Sequence, residues 1–511
     1  MIFMKLSSLL FAGEYSSRND PQEIEIESIA ISGDDIRPGC LFICLRGFHY
    51  DAHNLLRTAK ERGAAAAIVE AGTEAPIPKG LPVFAVTSSR RAMAFAYSRF
   101  YNSPADGMKL IAVTGTNGKT STVFMLYHLL AANGFRVGMI GTVACLSVVR
   151  NYRDLCRKGG RATMTTPDPD ILYAVLHEMK KDGIEYVVME ASSHALALDK
   201  LAPLSFEIGI FTNLSSEHLD FHKTMRAYLA AKASLFSACR RAIVNFDSDA
   251  ATELSEWIPC PILRCGAVYH EEYNAEEIRL LGASGVSYLY ASPTLRMPVF
   301  LPIPGSFTVY NSLLALTAAL ALGVPPREAS RTLRELSGVP GRMERVPLPG
   351  ASFSVFIDYA HTEAALENLL TTVNSFRREG ERIVLVFGCG GDRDTSKRAP
   401  MGKVAEAYAD RVIVTSDNAR SEEPNKIIRD ILLGMRKREK RAVIVNRRRA
   451  IRHAILCAQE GDIILLVGKG HETYELTSEG ARPFDERALV FEAFAERQIG
   501  EEHNTGVYPR K

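Results

Sequence analysis

The stretch "KLIAVTGTNGKTS", residues 109–121, joins a short apolar run to a glycine-containing turn and then to a helix-forming segment. The apolar run is typical of a strand buried in a sheet. Backbone N–H groups of residues 115–119 would then surround the start of the helix, where the helix dipole and the unpaired N–H groups attract phosphate oxygens. This stretch therefore predicts an α/β fold with a phosphate-binding loop at a strand end.

The side chains of this loop also suit nucleotide phosphates. Lys119 would neutralise the terminal phosphates, and the hydroxyl of Thr120 would be a ligand of Mg²⁺. The spacing departs from the usual pattern G-x-x-x-x-G-K-[ST], because Val113 occupies the position of the first glycine. The alternative is a chance Gly-Lys-Thr turn, but the strand–loop–helix context favours a nucleotide site.

The composition of the whole chain sets outer limits on its function. The 511 residues exceed one ordinary domain, and at about 150 residues per domain three domains are expected. A net charge of +2 gives no reason to expect nucleic acid or an anionic membrane as a partner. Two basic runs, residues 436–441 and 447–449, are interpreted as solvated faces. Nine cysteines, an odd number, indicate reduced thiols in a cytoplasmic enzyme.

The last third of the chain alternates strands with helical stretches. The strands "RIVLVFG", "RVIVTS", "AVIVN" and "DIILLVG" predict a doubly wound parallel sheet. In such sheets ligands bind outside the carboxyl ends of the strands. Three strand ends carry the polar segments "GCGGDRD" (388–394), "SDNAR" (416–420) and "GKGHE" (468–472). We expect these segments to form one pocket; the alternative is three unrelated polar turns.

Three residues of the central region are candidates for metal binding or catalysis. Glu190 ends the strand "EYVVME", and beside a phosphate loop an acid is favoured as a magnesium ligand over a surface residue. His218 follows another strand in "TNLSSEHLDFH", where the alternative is a packed histidine. Lys232 lies on the otherwise apolar helix "YLAAKASLF" and would either extend to the surface or be buried. A buried lysine tends to lose its charge, and a neutral amine can react with carbon dioxide.

The motifs, taken together, resemble those of the Mur ligases. "TGTNGKTS", "TTPD", "MEASSH", "TNLSSEHLDFH", "YLAAK", "GRMERV", "IDYAHT", "GCGGDRD", "DNAR" and "GKGHE" stand in the order seen in that family. The resemblance spans nearly the whole chain and is closest to the members that perform the third ligation of peptidoglycan precursor synthesis. It implies an α/β protein of three domains: an N-terminal UDP-binding domain (1–108), a central P-loop ATPase domain (109–338) and a Rossmann-like C-terminal domain that binds the amino acid (339–511).

The resemblance also implies a reaction. ATP would phosphorylate the D-glutamate γ-carboxylate of UDP-N-acetylmuramoyl-L-alanyl-D-glutamate, and the amine of a free diamino acid would attack the acyl phosphate. The cofactors implied are ATP and Mg²⁺, and the catalytic residues are Lys119, Lys232 and His218. By the same resemblance, the metal ligands are Thr120, Glu190, His218 and Lys232, the last as a carbamate.

The binding residues implied by the resemblance fall into three groups. Those for ATP are Gly115, Thr116, Asn117, Gly118, Lys119, Thr120, Ser121, Asn311, Arg342 and Asp358. Those for the UDP-sugar dipeptide are Ser32, Thr165, Thr166, Ser192 and Lys200. Those for the diamino acid are Arg393, Asp417, Asn418, Ala419, Arg420, Gly468 and Glu472.

The identity of the diamino acid depends mainly on Arg420, whose fork-shaped cation suits a second carboxylate. Meso-diaminopimelate carries that group and is favoured; L-lysine and L-ornithine are the alternatives. Ala419 stands where the family has proline, so the backbone angle before Arg420 is not restricted by a ring. More distant alternatives are a ligase of the folylpolyglutamate synthase type and a P-loop NTPase that is not a ligase. A monomer with no nucleic-acid or membrane partner is expected.

Overall fold

The computed structural model of the protein describes residues 4–11, 13–17, 19–47, 50–156, 164–336 and 338–504, with side chains to residue 499. The chain forms two compact units, Met1–Cys265 and Gly266–Lys511, and each is described by itself. In the described part of the chain, no helix has both the length and the apolar character needed to cross a membrane.

The first unit begins with a small parallel sheet. A two-stranded ribbon, β1 (Met4–Lys5) and β2 (Glu25–Ile26), precedes four parallel strands in sequential order: β3 (Ser28–Ala30), β4 (Cys40–Ile43), β5 (Ala66–Glu70) and β6 (Val83–Val86). The helices are α1 (Leu6–Leu9), α2 (Leu56–Glu61) and α3 (Ser89–Phe100). Leu6, Leu9 and Leu10 have helical spacing and are all buried, so the N-terminal segment packs into the core.

Seven further strands of the first unit build the sheet that carries the phosphate loop. Their bounds are β7 (Lys109–Thr114), β8 (Val137–Ile140), β9 (Cys145–Ser147), β10 (Tyr186–Glu190), β11 (Phe206–Phe211), β12 (Cys239–Asn245) and β13 (Ile262–Gly266). Their order is β13-β12-β11-β7-β10-β8-β9, and only β9 is antiparallel to its neighbour. Because β7 lies between β10 and β11, the loops after all three strands meet at one edge.

Helices connect these strands. They are α4 (Lys119–Ala131), α5 (Arg153–Cys156), α6 (Pro169–Lys181), α7 (Ser193–Ala197), α8 (Leu219–His222), α9 (Met225–Ala233) and α10 (Ala251–Glu256). The predicted strand–loop–helix unit at residues 109–121 is therefore present, with Lys119 as the first residue of α4.

The second unit contains an antiparallel group and a doubly wound sheet. The antiparallel strands are β14 (Tyr273–Leu280), β15 (Val286–Ala291) and β16 (Arg296–Leu301), followed by α11 (Ser306–Ala321) and α12 (Pro326–Glu335). The doubly wound sheet contains β17 (Glu344–Val346), β18 (Ser354–Asp358), β19 (Ile383–Phe387), β20 (Arg411–Val414), β21 (Arg441–Val443) and β22 (Ile463–Val467). Its order is β17-β18-β22-β19-β20-β21, parallel except for β17.

The doubly wound sheet is buried on both faces. Side chains alternate along each strand, so Leu385 packs in one apolar core and Val386 in another. The remaining helices are α13 (Glu363–Phe376), α14 (Arg398–Tyr408), α15 (Pro424–Leu432), α16 (Arg447–Leu456) and α17 (Glu486–Asn504), and the hairpin is β23 (Tyr474–Thr477) and β24 (Gly480–Pro483). Helices α13–α15 contribute to the first core, and α16 and α17 contribute to the second.

Short 3₁₀ turns complete the regular structure. They are Pro21–Glu23, Gly33–Asp35, Ala52–Leu55, Ser234–Ala238, Gly282–Ser284 and Arg438–Lys440.

Candidate active site

The phosphate loop of the first unit is held by the segment that follows β11. Thr212 Oγ1 donates a hydrogen bond to the carbonyl of Asn117 at 2.6 Å, and Asn117 N donates to Asn213 Oδ1 at 2.9 Å. A Cβ atom added to Gly115 would overlap Thr212 Oγ1, so only glycine fits there. The loop shape is therefore set by the neighbouring strand end as well as by its own residues.

Lys119 lies across this loop. Its Nζ donates hydrogen bonds to the carbonyls of Gly115 at 2.9 Å and Thr116 at 2.7 Å. Thr120 and Ser121 follow in the first turn of α4 and are half-buried. The structure thus brings the predicted loop residues, Gly115 to Ser121, together at the N-terminus of one helix, where negative charge is favoured.

Glu190 lies next to the loop and is 1% exposed. Its carboxylate accepts hydrogen bonds from Thr120 Oγ1 at 3.0 Å and from the backbone N of Thr142 at 2.7 Å. Thr142 was missed by the sequence analysis; it comes directly after Gly141, where an added Cβ would overlap the Glu190 carboxylate. The hydroxyl and carboxylate oxygens assembled here are the ligand types that Mg²⁺ prefers.

The described residues contain no group of three His, Cys, Asp or Glu side chains that would hold a metal ion by themselves. This finding does not conflict with a magnesium site, because Mg²⁺ is usually bound by one or two carboxylates together with substrate phosphates and waters. Glu190 and Thr120 fit that ligand set, and the phosphates would come from the nucleotide.

Lys232 is buried in α9 with 1% exposure. Its Nζ lies 4.4 Å from the ring centroid of Tyr228. Burial lowers the pKa of Lys232 to about 6, and the positive charge of Lys119 lowers it further in the same direction, against a smaller opposing effect of Glu217. The amine is therefore mainly neutral at pH 7, as is usual for a buried lysine.

His218 is the N-cap residue directly before α8 and has a left-handed backbone conformation, with φ of 56°. Its ring packs edge-on against His194 at 4.8 Å and against Tyr228 at 6.3 Å between centroids. Tyr228 therefore contacts both His218 and Lys232. Glu190 makes its hydrogen bonds elsewhere, with Thr120 and Thr142.

The candidates for the UDP-sugar dipeptide divide into two places. Thr166 Oγ1 donates to the carbonyl of Glu190 at 2.8 Å and accepts from Ser192 N at 3.0 Å. Thr165 accepts from Thr142 Oγ1 at 3.0 Å, and Lys200 forms an ion pair with Asp168 at 2.7 Å. Ser32 lies instead after β3 in the first sheet, where its hydroxyl donates to Asp35 at 2.5 Å.

The remaining ATP candidates lie in the second unit. Asp358 is buried and accepts hydrogen bonds from the backbone N of Met343 and of Ala360, both at 2.8 Å. Burial raises the pKa of Asp358, and the nearby charge of Arg342 opposes that change. Arg342 itself lies over the ring of Tyr359 at 5.6 Å. Asn311 lies apart from these residues in sequence, on α11, and is 5% exposed.

The three polar strand ends of the second unit do meet. Asn418 Nδ2 donates to Glu472 Oε2 at 2.7 Å, and a Cβ added to Gly468 would lie 2.6 Å from Asp417 Oδ2. Burial raises the pKa of Glu472, while the hydrogen bond from Asn418 lowers it. We call the group Asp417, Asn418, Arg420, Gly468 and Glu472 the strand-end pocket.

Arg420 connects this pocket to the third polar segment. Its Nη1 donates to the carbonyl of Gly391 at 2.7 Å, and its backbone has a left-handed φ of 51°. Ala419 is buried, and its carbonyl packs so closely against Gly391 that a Cβ there would overlap it. Arg393, on the same segment as Gly391, is exposed.

Buried cations around the pocket were not anticipated. Arg398 is fully buried and forms ion pairs with Glu422 at 2.8 Å and Asp430 at 2.9 Å. Arg447 corrects the interpretation of residues 447–449 as a solvated face: it is 1% exposed and donates to Glu486 at 2.7 Å. Its basic neighbours gave no sign of this, because burial of one residue in a charged run depends on the helix that packs over it.

Lys469 is the third buried cation and contacts the pocket directly. Its Nζ donates to Asn418 Oδ1 at 2.9 Å. The sequence contained a signal, since Lys469 lies inside the quoted segment "GKGHE".

Comparison with known proteins agrees with this geometry. Residues 113–319 match the Mur ligase middle domain, and residues 341–470 match the Mur ligase, glutamate ligase domain. Two relatives named UDP-N-acetylmuramoyl-L-alanyl-D-glutamate–2,6-diaminopimelate ligase, from Clostridioides difficile (strain 630) and Caldanaerobacter subterraneus subsp. tengcongensis, are each 39% identical to the chain. The alignments cover 96% and 97% of this chain and 100% of each relative.

A solved structure of a ligase of the same name has a TM-score of 0.68 and 27% sequence identity, covering 97% of this chain and 100% of its own. The predicted α/β class is thereby confirmed, whereas the domain boundaries at residues 108 and 338 stay predictions. The chain matches two domains of this family in succession, and its relatives match along their full length. The chain therefore belongs to the Mur ligase family.

Proposed function

We propose that this protein is an ATP-dependent ligase that joins meso-diaminopimelate to the D-glutamate γ-carboxylate of UDP-N-acetylmuramoyl-L-alanyl-D-glutamate. The observation that carries the choice of amino acid is the strand-end pocket, which contains both a guanidinium and acids. Arg420 Nη1 donates to the carbonyls of Gly391 and Asn418, and Asn418 in turn contacts the acid Glu472. The distal end of diaminopimelate carries an ammonium and a carboxylate. Both charges therefore find a partner of opposite sign, and the names of the full-length relatives support the same choice.

The chemistry requires activation of a carboxylate, which is a poor acyl donor. An oxygen of the γ-carboxylate attacks the γ-phosphorus of ATP, the bond to the ADP oxygen breaks, and an acyl phosphate forms. The amine of the diamino acid then attacks the acyl carbon, loses a proton, and expels phosphate to leave the amide. In the first step, Lys119 and the N–H groups of the loop would stabilise the charge on the transferring phosphoryl group.

The residues present fit a magnesium ion near the phosphate loop. Thr120 and Glu190 would hold it. Lys232, as a carbamate, would hold a second magnesium ion with Glu190 and His218 as its companions, and His218 packs against the same aromatic ring as Lys232. Bound Mg²⁺ would neutralise phosphate charge during transfer. The neutral amine of Lys232 supports the carbamate assignment, because only an unprotonated amine adds to carbon dioxide.

The other ATP and substrate contacts belong to the same proposal. Asn311, Arg342 and Asp358 are assigned to the nucleotide, and Ser32, Thr165, Thr166, Ser192 and Lys200 to the UDP-sugar dipeptide. The alternative amino acids, lysine and ornithine, lack the distal carboxylate that Arg420 would bind. A ligase of the folylpolyglutamate synthase type and an NTPase without ligase activity are not favoured by the relatives.

The test is product formation by the purified protein. With ATP, Mg²⁺ and the UDP-dipeptide, we compare meso-diaminopimelate, L-lysine and L-ornithine, and measure both the UDP-tripeptide and phosphate. We expect turnover only when dipeptide and amino acid are both present, and fastest with diaminopimelate. Preference for lysine or ornithine would contradict the amino-acid assignment, and phosphate release without any tripeptide would contradict the ligase itself.

A further inference from the structure

Lys469 is a buried cation within the strand-end pocket. Its side chain is 0% exposed, and its Nζ donates hydrogen bonds to Asn418 Oδ1 and to the carbonyl of Tyr474, both at 2.9 Å. The same Nζ lies 3.5 Å from Asp417 Oδ1. A buried ammonium is costly unless hydrogen bonds and an opposite charge compensate for lost water. Its partners here are two residues assigned to the diamino acid.

The first effect of Lys469 is on the orientation of the Asn418 amide. Asn418 Oδ1 accepts from Lys469 Nζ and from the backbone N of Leu476, each at 2.9 Å. An amide flipped by half a turn would place its NH₂ group against these two donors. The oxygen is therefore held on this side, and Nδ2 faces Glu472, to which it donates at 2.7 Å.

The second effect is on the charge of Glu472. Burial raises the pKa of Glu472, and the negative charge of Asp417 in the same pocket also raises it, because like charges oppose ionisation. The hydrogen bond from Asn418 and the positive charges of Lys469 and Arg420 lower the pKa of Glu472. Lys469 thus favours the ionised carboxylate, which is the form that attracts a substrate ammonium.

We propose that Lys469 is a positioning residue of the diamino-acid subsite, which orients the Asn418 amide towards Glu472 and pairs with Asp417, so that the two acids receive the distal ammonium of the substrate. It acts through these residues and contacts no reacting atom. This inference rests on the proposed function. A role in stability alone explains the contacts less well, because buried ion pairs are often matched in stability by apolar side chains of similar size.

The test uses the full-length variant Lys469→Met, which keeps the side-chain length and removes the charge. The matched control is Lys440→Met, in the same unit. Lys440 also donates to two carbonyls, of Glu406 at 3.3 Å and Ala409 at 3.1 Å, but lies outside the strand-end pocket. For each protein we measure kcat, the KM for diaminopimelate, the KM for ATP, and the Tm.

We expect Lys469→Met to raise the KM for diaminopimelate about ten- to a hundredfold, the effect of losing a charge-assisted interaction. The KM for ATP should be unchanged. Lys440→Met should affect at most the Tm. Without the charge of Lys469 the pKa of Glu472 rises further, so the acid limb of kcat/KM should move to higher pH in Lys469→Met. A merely structural residue would not shift that limb.

A second variant, Lys469→Arg, keeps the charge. The acid limb should stay in place, but the KM for diaminopimelate should still rise, because a planar guanidinium does not place its donors as an ammonium does. An unchanged KM and an unmoved limb in a folded Lys469→Met would overturn the inference. If Lys469→Met does not fold, an unchanged KM for diaminopimelate in Lys469→Arg would overturn the inference. If neither variant folds, the inference is also wrong, because Lys469 would then be required for folding. An inactive wild-type protein would instead contradict the proposed function.

Discussion

Replacing Lys232 with methionine should make the protein more stable and abolish its activity. The pKa of the buried Lys232 is about 6, against an ordinary value of 10.5. At pH 7.5 the unfolded lysine keeps its proton and the folded one has lost it. pH 7.5 lies three units below the ordinary pKa of 10.5, and each unit corresponds to about 1.4 kcal/mol. Deprotonating Lys232 at this pH therefore costs the folded state about 4 kcal/mol. Methionine has similar length and no such cost.

The effect should depend on pH in a defined direction. Between pH 6 and 10.5 the unfolded chain binds more protons at this position than the folded protein. The free energy of unfolding of the wild type therefore rises with pH across this window. The advantage of Lys232→Met should be greatest at pH 6 and below, and should shrink towards pH 10.

The assay is thermal and urea unfolding in buffers free of carbon dioxide, at pH 6, 7.5 and 9. A gain of about 4 kcal/mol corresponds to roughly 10 °C in Tm, at about 2–4 °C per kcal/mol. The matched control is Lys200→Met, which removes a buried lysine that has a partner, Asp168 at 2.7 Å. That variant should lose about 1.5–3 kcal/mol. If Lys232→Met is no more stable than the wild type, or its advantage does not shrink with pH, the reasoning is wrong.

A carbamate adds a second arm to this experiment. Bicarbonate should raise both the stability and the activity of the wild type, because carbon dioxide adds to the neutral amine with loss of a proton. Lys232→Met should be inactive and insensitive to bicarbonate. In Lys232→Ala, a small carboxylic acid should restore part of the activity by replacing the carbamate. Full wild-type activity after exhaustive removal of carbon dioxide would contradict the carbamate.

Three further predictions concern the phosphate loop, the metal site and the amino-acid pocket. Lys119→Ala should abolish tripeptide formation, with a loss of about 3 kcal/mol or more of transition-state stabilisation; wild-type turnover at saturating ATP in the folded variant would argue against this role. Gly141→Ala places a Cβ against the Glu190 carboxylate, so the Mg²⁺ concentration needed for half-maximal rate should rise, and an unchanged magnesium titration would speak against Glu190 as a ligand. Arg420→Ala should raise the KM for diaminopimelate by about ten- to a hundredfold, from about 1.5–3 kcal/mol of charge-assisted binding, and narrow its advantage over lysine. Equal loss for both amino acids would place the carboxylate contact elsewhere.

The sequence by itself determined the architecture and the sites of chemistry. Apolar strands alternating with helical stretches predicted the doubly wound parallel sheet of the last third, and its strands at residues 383–387, 411–414 and 463–467 lie where the pattern put them. Glycine turns and polar residues directly after strands located the phosphate loop and the strand-end pocket. These features are local. The spacing of apolar residues, a turn residue and the end of a strand can each be recognised from neighbouring residues alone.

Only the tertiary structure decided which side chains are buried and what they contact. Arg447 stands in a basic run but is buried against Glu486. The contact between Lys469 and Asn418 joins residues that are 51 positions apart in the chain, so only the fold reveals it. The backbone N of Thr142 meets the Glu190 carboxylate because β8 pairs with β10, an order that chain position does not reveal. Burial, and with it the low pKa of Lys232, arises from elements that pack together across long sequence separations. A local pattern carries no information about those partners, so the low pKa of Lys232 is a property of the folded protein alone.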